Sequence, residues 1–127
     1  MALIPVETTD DYIQNRSTYI TWSNMANGDV GEYLKFAGHA DKTMQVFGTF
    51  GTGGSLTFEG SNDPRVVTDP NNSVWFTMND PQTLPLVKTS AGGDLIIENP
   101  IYMRPRVNAG DGTTSLTVIL ACKAVGA

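Results

Sequence analysis

A chain of 127 residues has room for one domain with one continuous core, and that size needs no disulfide or metal to hold together. Eight Lys and Arg stand against thirteen Asp and Glu, for a net charge of −5 with no basic run. That balance disfavours nucleic acid, whose binding draws on cations at phosphate, and anionic lipid as well.

Residues 1–16 differ in texture from the rest. An apolar stretch, Ala2 to Val6, is broken by Pro5, and Thr8 followed by Asp11 resembles a capping box for a single helical turn. We read 1–16 as an N-terminal arm, mobile when free and ordered on a partner, with Leu3, Ile4 and Tyr12 as its contact candidates. The alternative is an edge strand packed on its own domain. The N-terminus has no basic region and is not expected to be a signal peptide. No segment approaches the roughly 18 apolar residues of a membrane span.

From Ser17 to Ala127 the chain reads as one β domain. Thirteen Gly and six of the seven Pro spread along it argue for short strands and tight turns. Ser17–Ser23 is rich in strand formers, and Asn27-Gly28-Asp29 is a turn. Val30–Ala37, Thr43–Phe50 and Ser55–Gly60 alternate with period 2 and read as strands with one buried face. Gly51-Thr52-Gly53-Gly54 resembles a hairpin loop. Two turn clusters follow, Ser61–Pro64 and Asp69–Asn72, and then a short strand, Val74–Phe76. Leu84–Lys88 and Asp94–Glu98 flank Ala91-Gly92-Gly93 as a second hairpin. Ile101–Val107 is a strand whose Pro105, lacking a ladder N–H, predicts an edge position or a bulge. After the Asn108–Gly112 turn, Ser115–Lys123 is the clearest strand, with Leu116, Val118, Leu120 and Cys122 facing inward. About eight strands at roughly ten-residue spacing predict an all-β antiparallel sandwich, jelly-roll-like.

Catalytic constellations are scarce, and no enzymatic activity is expected. His39 and Cys122 are each single in the chain. Cys122 lies in an apolar run and reads as a small buried thiol. Glu59 and Glu98 are the carboxylates best placed for acid–base work, but outward strand carboxylates are usually solvated. Asp63, Asp69, Asn71 and Asn72 carry oxygens that calcium accepts, yet such residues fill turns for backbone reasons alone. Neither metal nor cofactor is expected. Tyr102, Arg104 and Arg106 alternate on one strand face, and Tyr and Arg are enriched at interfaces. The competing reading pairs these arginines with Glu98 or Glu59.

Two stretches carry a family resemblance. One is Leu56-Thr57-Phe58-Glu59-Gly60-Ser61-Asn62-Asp63, with Val74-Trp75-Phe76 beyond it. The other is Tyr102-Met103-Arg104-Pro105-Arg106-Val107, followed by Gly110-Asp111-Gly112-Thr113-Thr114-Ser115-Leu116. Together they resemble the small β-sandwich head decoration, or cement, proteins of tailed bacteriophages. The resemblance covers roughly residues 54–122, and the first fifty match no family pattern. Pro64 stands where a glycine is more usual, and the stretch before Trp75 is long. The resemblance implies a virion protein on the capsid exterior, made in the host cytoplasm, that binds the major capsid protein. It also implies self-association at a symmetry axis, a trimer being favoured over a dimer. The Glu-Gly-Ser-Asn-Asp piece is similar as well to discoidin-type carbohydrate-binding sandwiches. This alternative is a sugar-binding module of a phage tail or secreted protein, with Trp22, Trp75 and Tyr102 as candidate rings.

Overall fold

The computed structural model describes residues 2–11, 17–35 and 39–124. Side chains that alternate in polarity sort onto the two faces of extended chain. Among the described residues this produces twelve strands: β1 (Leu3–Ile4), β2 (Glu7–Asp11), β3 (Ser17–Met25), β4 (Val30–Gly31), β5 (Leu34–Lys35), β6 (His39–Thr49), β7 (Ser55–Ser61), β8 (Phe76–Thr77), β9 (Val87–Lys88), β10 (Gly92–Ile96), β11 (Tyr102–Ala109) and β12 (Ser115–Ala124). One sheet runs β1-β4-β11-β7-β8, with β5 also on β11 and β9 also on β7. The other runs β10-β6-β12-β3-β2. The two pack as an all-β sandwich around one core. Trp22, Met44, Val46, Leu116, Val118 and Leu120 enter it from the five-stranded sheet, and Leu56, Phe58, Met103 and Val107 from the seven-stranded one. Cys122 is buried at the same inward face, as its apolar run predicts, and burial pushes its thiol up to about 12. A thiol held there stays protonated and inert at neutral pH.

Turns that resemble hairpins instead cross between the sheets. Strands β6 and β7 belong to different sheets, so Gly51–Gly54 is a crossover rather than a hairpin. Strands β9 and β10 are likewise divided, and Gly92 and Gly93 lie inside β10 opposite Val46 and Gln45. A Cβ on Gly93 would sit 2.8 Å from the Met44 carbonyl oxygen, so this glycine serves close strand approach. Val30–Ala37 is two short strands rather than one, and the Val74–Phe76 strand shrinks to Phe76–Thr77.

Pro105 does not mark an edge, although its strand does carry a bulge, between Val107 and Ala109. Strand β11 is interior, between β7 and the broken strand β4/β5. Phe58, opposite Pro105, turns its N–H to Leu86 and its carbonyl to Met78, both away from β11. That makes Phe58–Pro105 a non-hydrogen-bonded pair, and the proline nitrogen faces the other neighbour. On that side β11 pairs with Val30 and with Leu34 and Lys35, leaving Glu32 and Tyr33 between them unpaired. The missing donor therefore falls at a gap in the ladder. Trp22 occupies the same gap from across the core, its Nε1–H donating to the Glu32 carbonyl at 3.0 Å.

Gly31 makes room for this arrangement. A Cβ there would stand 2.6 Å from Pro105 Cδ and 2.9 Å from Trp22 Cδ1. Both neighbours are buried. Gly31→Ala is expected to cost about 1–3 kcal/mol by overpacking. Urea unfolding measures this, and a midpoint equal to wild type would refute the crowding.

The stretch assigned to an arm is, where described, two edge strands. Strand β1 pairs parallel with β4, Leu3 opposite Val30 and Ile4 opposite Gly31. Strand β2 pairs antiparallel with β3 from Glu7 to Asp11, so the helical turn suggested by Thr8 and Asp11 is replaced by strand. Asp29 ties the start of the chain down, accepting from the Ala2 and Ala26 amides at 3.0 and 2.8 Å.

Register sets the outward face of the five-stranded sheet. Leu95, Thr43, Ala121 and Tyr19 form one row across four strands. Gln45, Ile119 and Thr21 form the next.

Candidate functional site

The outward face of the seven-stranded sheet brings the two resembling stretches together. Register sets Tyr102 opposite Ser61, Arg104 opposite Glu59 and Arg106 opposite Thr57. Alternation keeps all six on one face. Glu59 is only 6% exposed, and both arginines converge on it. Arg104 Nε donates to Oε1 at 3.0 Å. Arg106 Nε lies 3.2 Å from Oε2 but out of line for a hydrogen bond, so that contact is an ion pair alone. The Arg104 guanidinium also lies over the Trp75 ring, 3.9 Å from its centroid, a geometry in which the ring quadrupole attracts the cation. Trp75 is fixed in turn by its Nε1–H, which donates to Ser73 Oγ at 3.0 Å.

Three consecutive residues clasp the excursion between β7 and Trp75. Ser61 Oγ donates to the Val74 carbonyl at 2.6 Å. Asn62 Oδ1 accepts from the Ile101 amide at 2.9 Å. Asp63 accepts from the Arg65 and Val74 amides and ion-pairs with the Arg65 guanidinium at 2.9 Å. The Arg65 side chain, followed by these amides, holds the Asp63 carboxyl down to about 2. Asp111 does the same at the far end of the sandwich. It accepts from Thr113 Oγ1 and from the Thr52 and Thr113 amides, which hold its carboxyl well below the ordinary range. The calcium reading gains nothing from these turns. Asp63 is engaged by cation and amides, Asp69 Oδ2 accepts from Asn72 Nδ2, and the described residues hold no acidic cluster fit for a metal.

A depressed folded pKa contributes stability above the unfolded value and loses it as pH falls through the folded one. For Asp63 that window runs from the ordinary 3.8 down to about 2. The Val74 and Arg65 amide resonances are therefore expected to titrate together with a midpoint near 2. Asp63→Asn abolishes the titration, and a midpoint at the ordinary aspartate value would contradict the clasp.

The interface candidates separate. Leu3, 65% exposed, lines a groove of about 270 Å³ together with Tyr33, Val66, Trp75 and Arg104. Ile4 packs on the core instead. Tyr102 is 7% exposed beneath Tyr33, ring edge to ring at 5.3 Å. Arg106 is half-exposed but aimed at Glu59. Tyr12 lies outside the described residues. The three alternating side chains thus do not project as a docking patch, because Glu59, Trp75 and Tyr33 engage them. The sugar-binding rings fare similarly: Trp22 is wholly buried and Arg104 covers one face of Trp75. Glu98 accepts from the Asn79 amide at 2.6 Å, whereas Glu59 takes both arginines.

Sequence reasoning missed Tyr33 and Val66, whose part in the groove depends on long-range folding. It also missed Lys42, an inward-facing lysine 1% exposed whose ammonium donates to Asn99 Oδ1. Burial lowers the Lys42 pKa, and nearby Cys122 and Asp41 oppose that shift. Alternation within β6 places Lys42 on the buried face one step before Met44, so this signal was present in the sequence. Comparison of the chain with protein-family models, curated proteins and solved structures finds no match.

Proposed function

We propose that this chain is a virion structural protein that decorates and stabilises the outside of a tailed-phage capsid by binding its major capsid protein. One observation carries the reading. The residues behind the resemblance touch one another: Glu59 with Arg104 and Arg106, Arg104 with Trp75, and Ser61 and Asp63 with the strand leading to Trp75. A shared motif with a common structural job supports a shared fold family better than scattered identities do. The framework also suits the role. Side chains clasp both ends of the sandwich, and strand pairing holds its first residues, so a rigid body can be presented to a shell in many copies. Each copy then needs only a modest interface, because many act together.

The test is co-sedimentation of the purified protein with particles of the encoding phage that have been stripped of it. Saturable pelleting, with a fixed number of copies per shell, supports the reading. Absence of pelleting with intact shells, under conditions where the protein stays folded, overturns it.

A further inference from the structure

We infer that Lys42 and Asn99 form an intramolecular isopeptide bond, the lysine amine displacing ammonia from the asparagine side chain. Lys42 stands on β6, between Ile96 of β10 and Cys122 of β12 in register. All three side chains face inward, Lys42 and Cys122 1% exposed and Ile96 0%. The lysine thus has an aliphatic side chain and a thiol for strand neighbours instead of water. Its Nζ donates to Asn99 Oδ1, so the amine already touches the amide whose carbon it attacks.

Protonation, position and exit all favour the reaction. Only a neutral amine is a nucleophile, and burial, the largest influence on Lys42, lowers its pKa. Cys122 and Asp41 oppose that shift. However, Cys122 keeps its proton at neutral pH, and Asp41 stands on the exposed face of β6. Asn99 is fixed from both sides. Glu98 before it accepts from the Asn79 amide at 2.6 Å, and Ile101 after it donates its amide to Asn62 Oδ1 at 2.9 Å. Pro100 is buried, close enough to Gly60 that a Cβ there would stand 2.7 Å from its Cγ. Holding amine and amide in contact replaces a bimolecular encounter with an intramolecular step. Asn99 itself is exposed, and its Nδ2 donates to the Ile97 carbonyl at 3.4 Å, so the leaving nitrogen lies on the water side.

The Nζ lone pair adds to Cγ, the Cγ–Nδ2 bond breaks, and one amine proton passes through water to the departing nitrogen. One amine and one primary amide become one secondary amide and one ammonia, with no change in oxidation state. The product removes from the core a group whose charged form is costly there. It also fastens β6, in one sheet, to the connection leading into β11 of the other. The link joins positions 57 residues apart and constrains the unfolded chain as a disulfide would, in a chain whose single cysteine can form none within it. The bond is independent of the capsid reading.

Intact mass spectrometry of the folded full chain, after incubation at mildly alkaline pH, tests it. The wild type is expected to weigh one ammonia less than its sequence gives. Trypsin is expected to leave Lys42 uncut and joined to the peptide that holds Asn99. Asn99→Ala changes an exposed position and is expected to keep the wild-type circular dichroism, its full mass and cleavage after Lys42. A folded wild type at full sequence mass overturns the inference. So does an ammonia loss that persists in Asn99→Ala, or one that maps to a succinimide at Asn27-Gly28.

Discussion

Trp22→Ala is expected to be among the most damaging single changes in the molecule. The ring is wholly buried, meets Phe58 edge-on at 6.1 Å and ties the two sheets together through Glu32. Truncating a packed tryptophan costs about 3–5 kcal/mol, because a cavity replaces its contacts. Here the Glu32 carbonyl also loses its donor at the break between β4 and β5. With about 3–5 °C of melting temperature per kcal/mol for a domain this size, the expected drop is about 10–20 °C. Trp22→Phe separates the two effects: it keeps most of the packing and loses the hydrogen bond, which is worth about 1 kcal/mol. Thermal melts of both variants check this. A Trp22→Ala melt within a few degrees of wild type would show that the tryptophan is not the tie.

Glu59→Ala has the second-largest expected effect. It leaves two arginines pointing at an empty site on a covered sheet face. Breaking a buried pair by removing one partner costs about 3–5 kcal/mol, and the partial exposure of Arg104 and Arg106 screens some of that, so about 2–3 kcal/mol is expected. Glu59→Ala/Arg104→Met should recover part of the loss, because one stranded cation goes with its partner. Denaturant unfolding of the cycle measures the coupling. Equal losses for Glu59→Ala and the double variant would mean that the ion pair contributes nothing beyond packing.

Strand identity was legible in the sequence where alternation was strict. Leu116, Val118, Leu120 and Cys122 announce the inward face of β12 by period alone, and all four are buried. Strand partnership was not legible. A Gly-rich turn looks the same whether it reverses the chain within a sheet or carries it to the opposite one, and that ambiguity produced the two false hairpins. Of the two positions that Pro105 suggested, the bulge is present, between Val107 and Ala109, and the edge is not. The rule that proline sits at edges concerns a missing donor, and an interior strand satisfies it when the neighbour is interrupted, as β4 and β5 are around Glu32 and Tyr33. The arginine face was visible as a pattern. Its engagement was not, because choosing Glu59 over Glu98 requires the register between β7 and β11. The edge pairing of Leu3–Ile4 was one of two alternatives, and no local signal separates a short edge strand from an arm.

Cryo-electron microscopy of the virion to which the proposed function assigns this chain tests the central claim most directly. The account predicts density for this two-sheet sandwich on the outer surface of the head, repeated at symmetry-equivalent positions and in contact with the major capsid protein. Placement of the chain in the tail or inside the shell, or its absence from a complete particle map, would contradict the account.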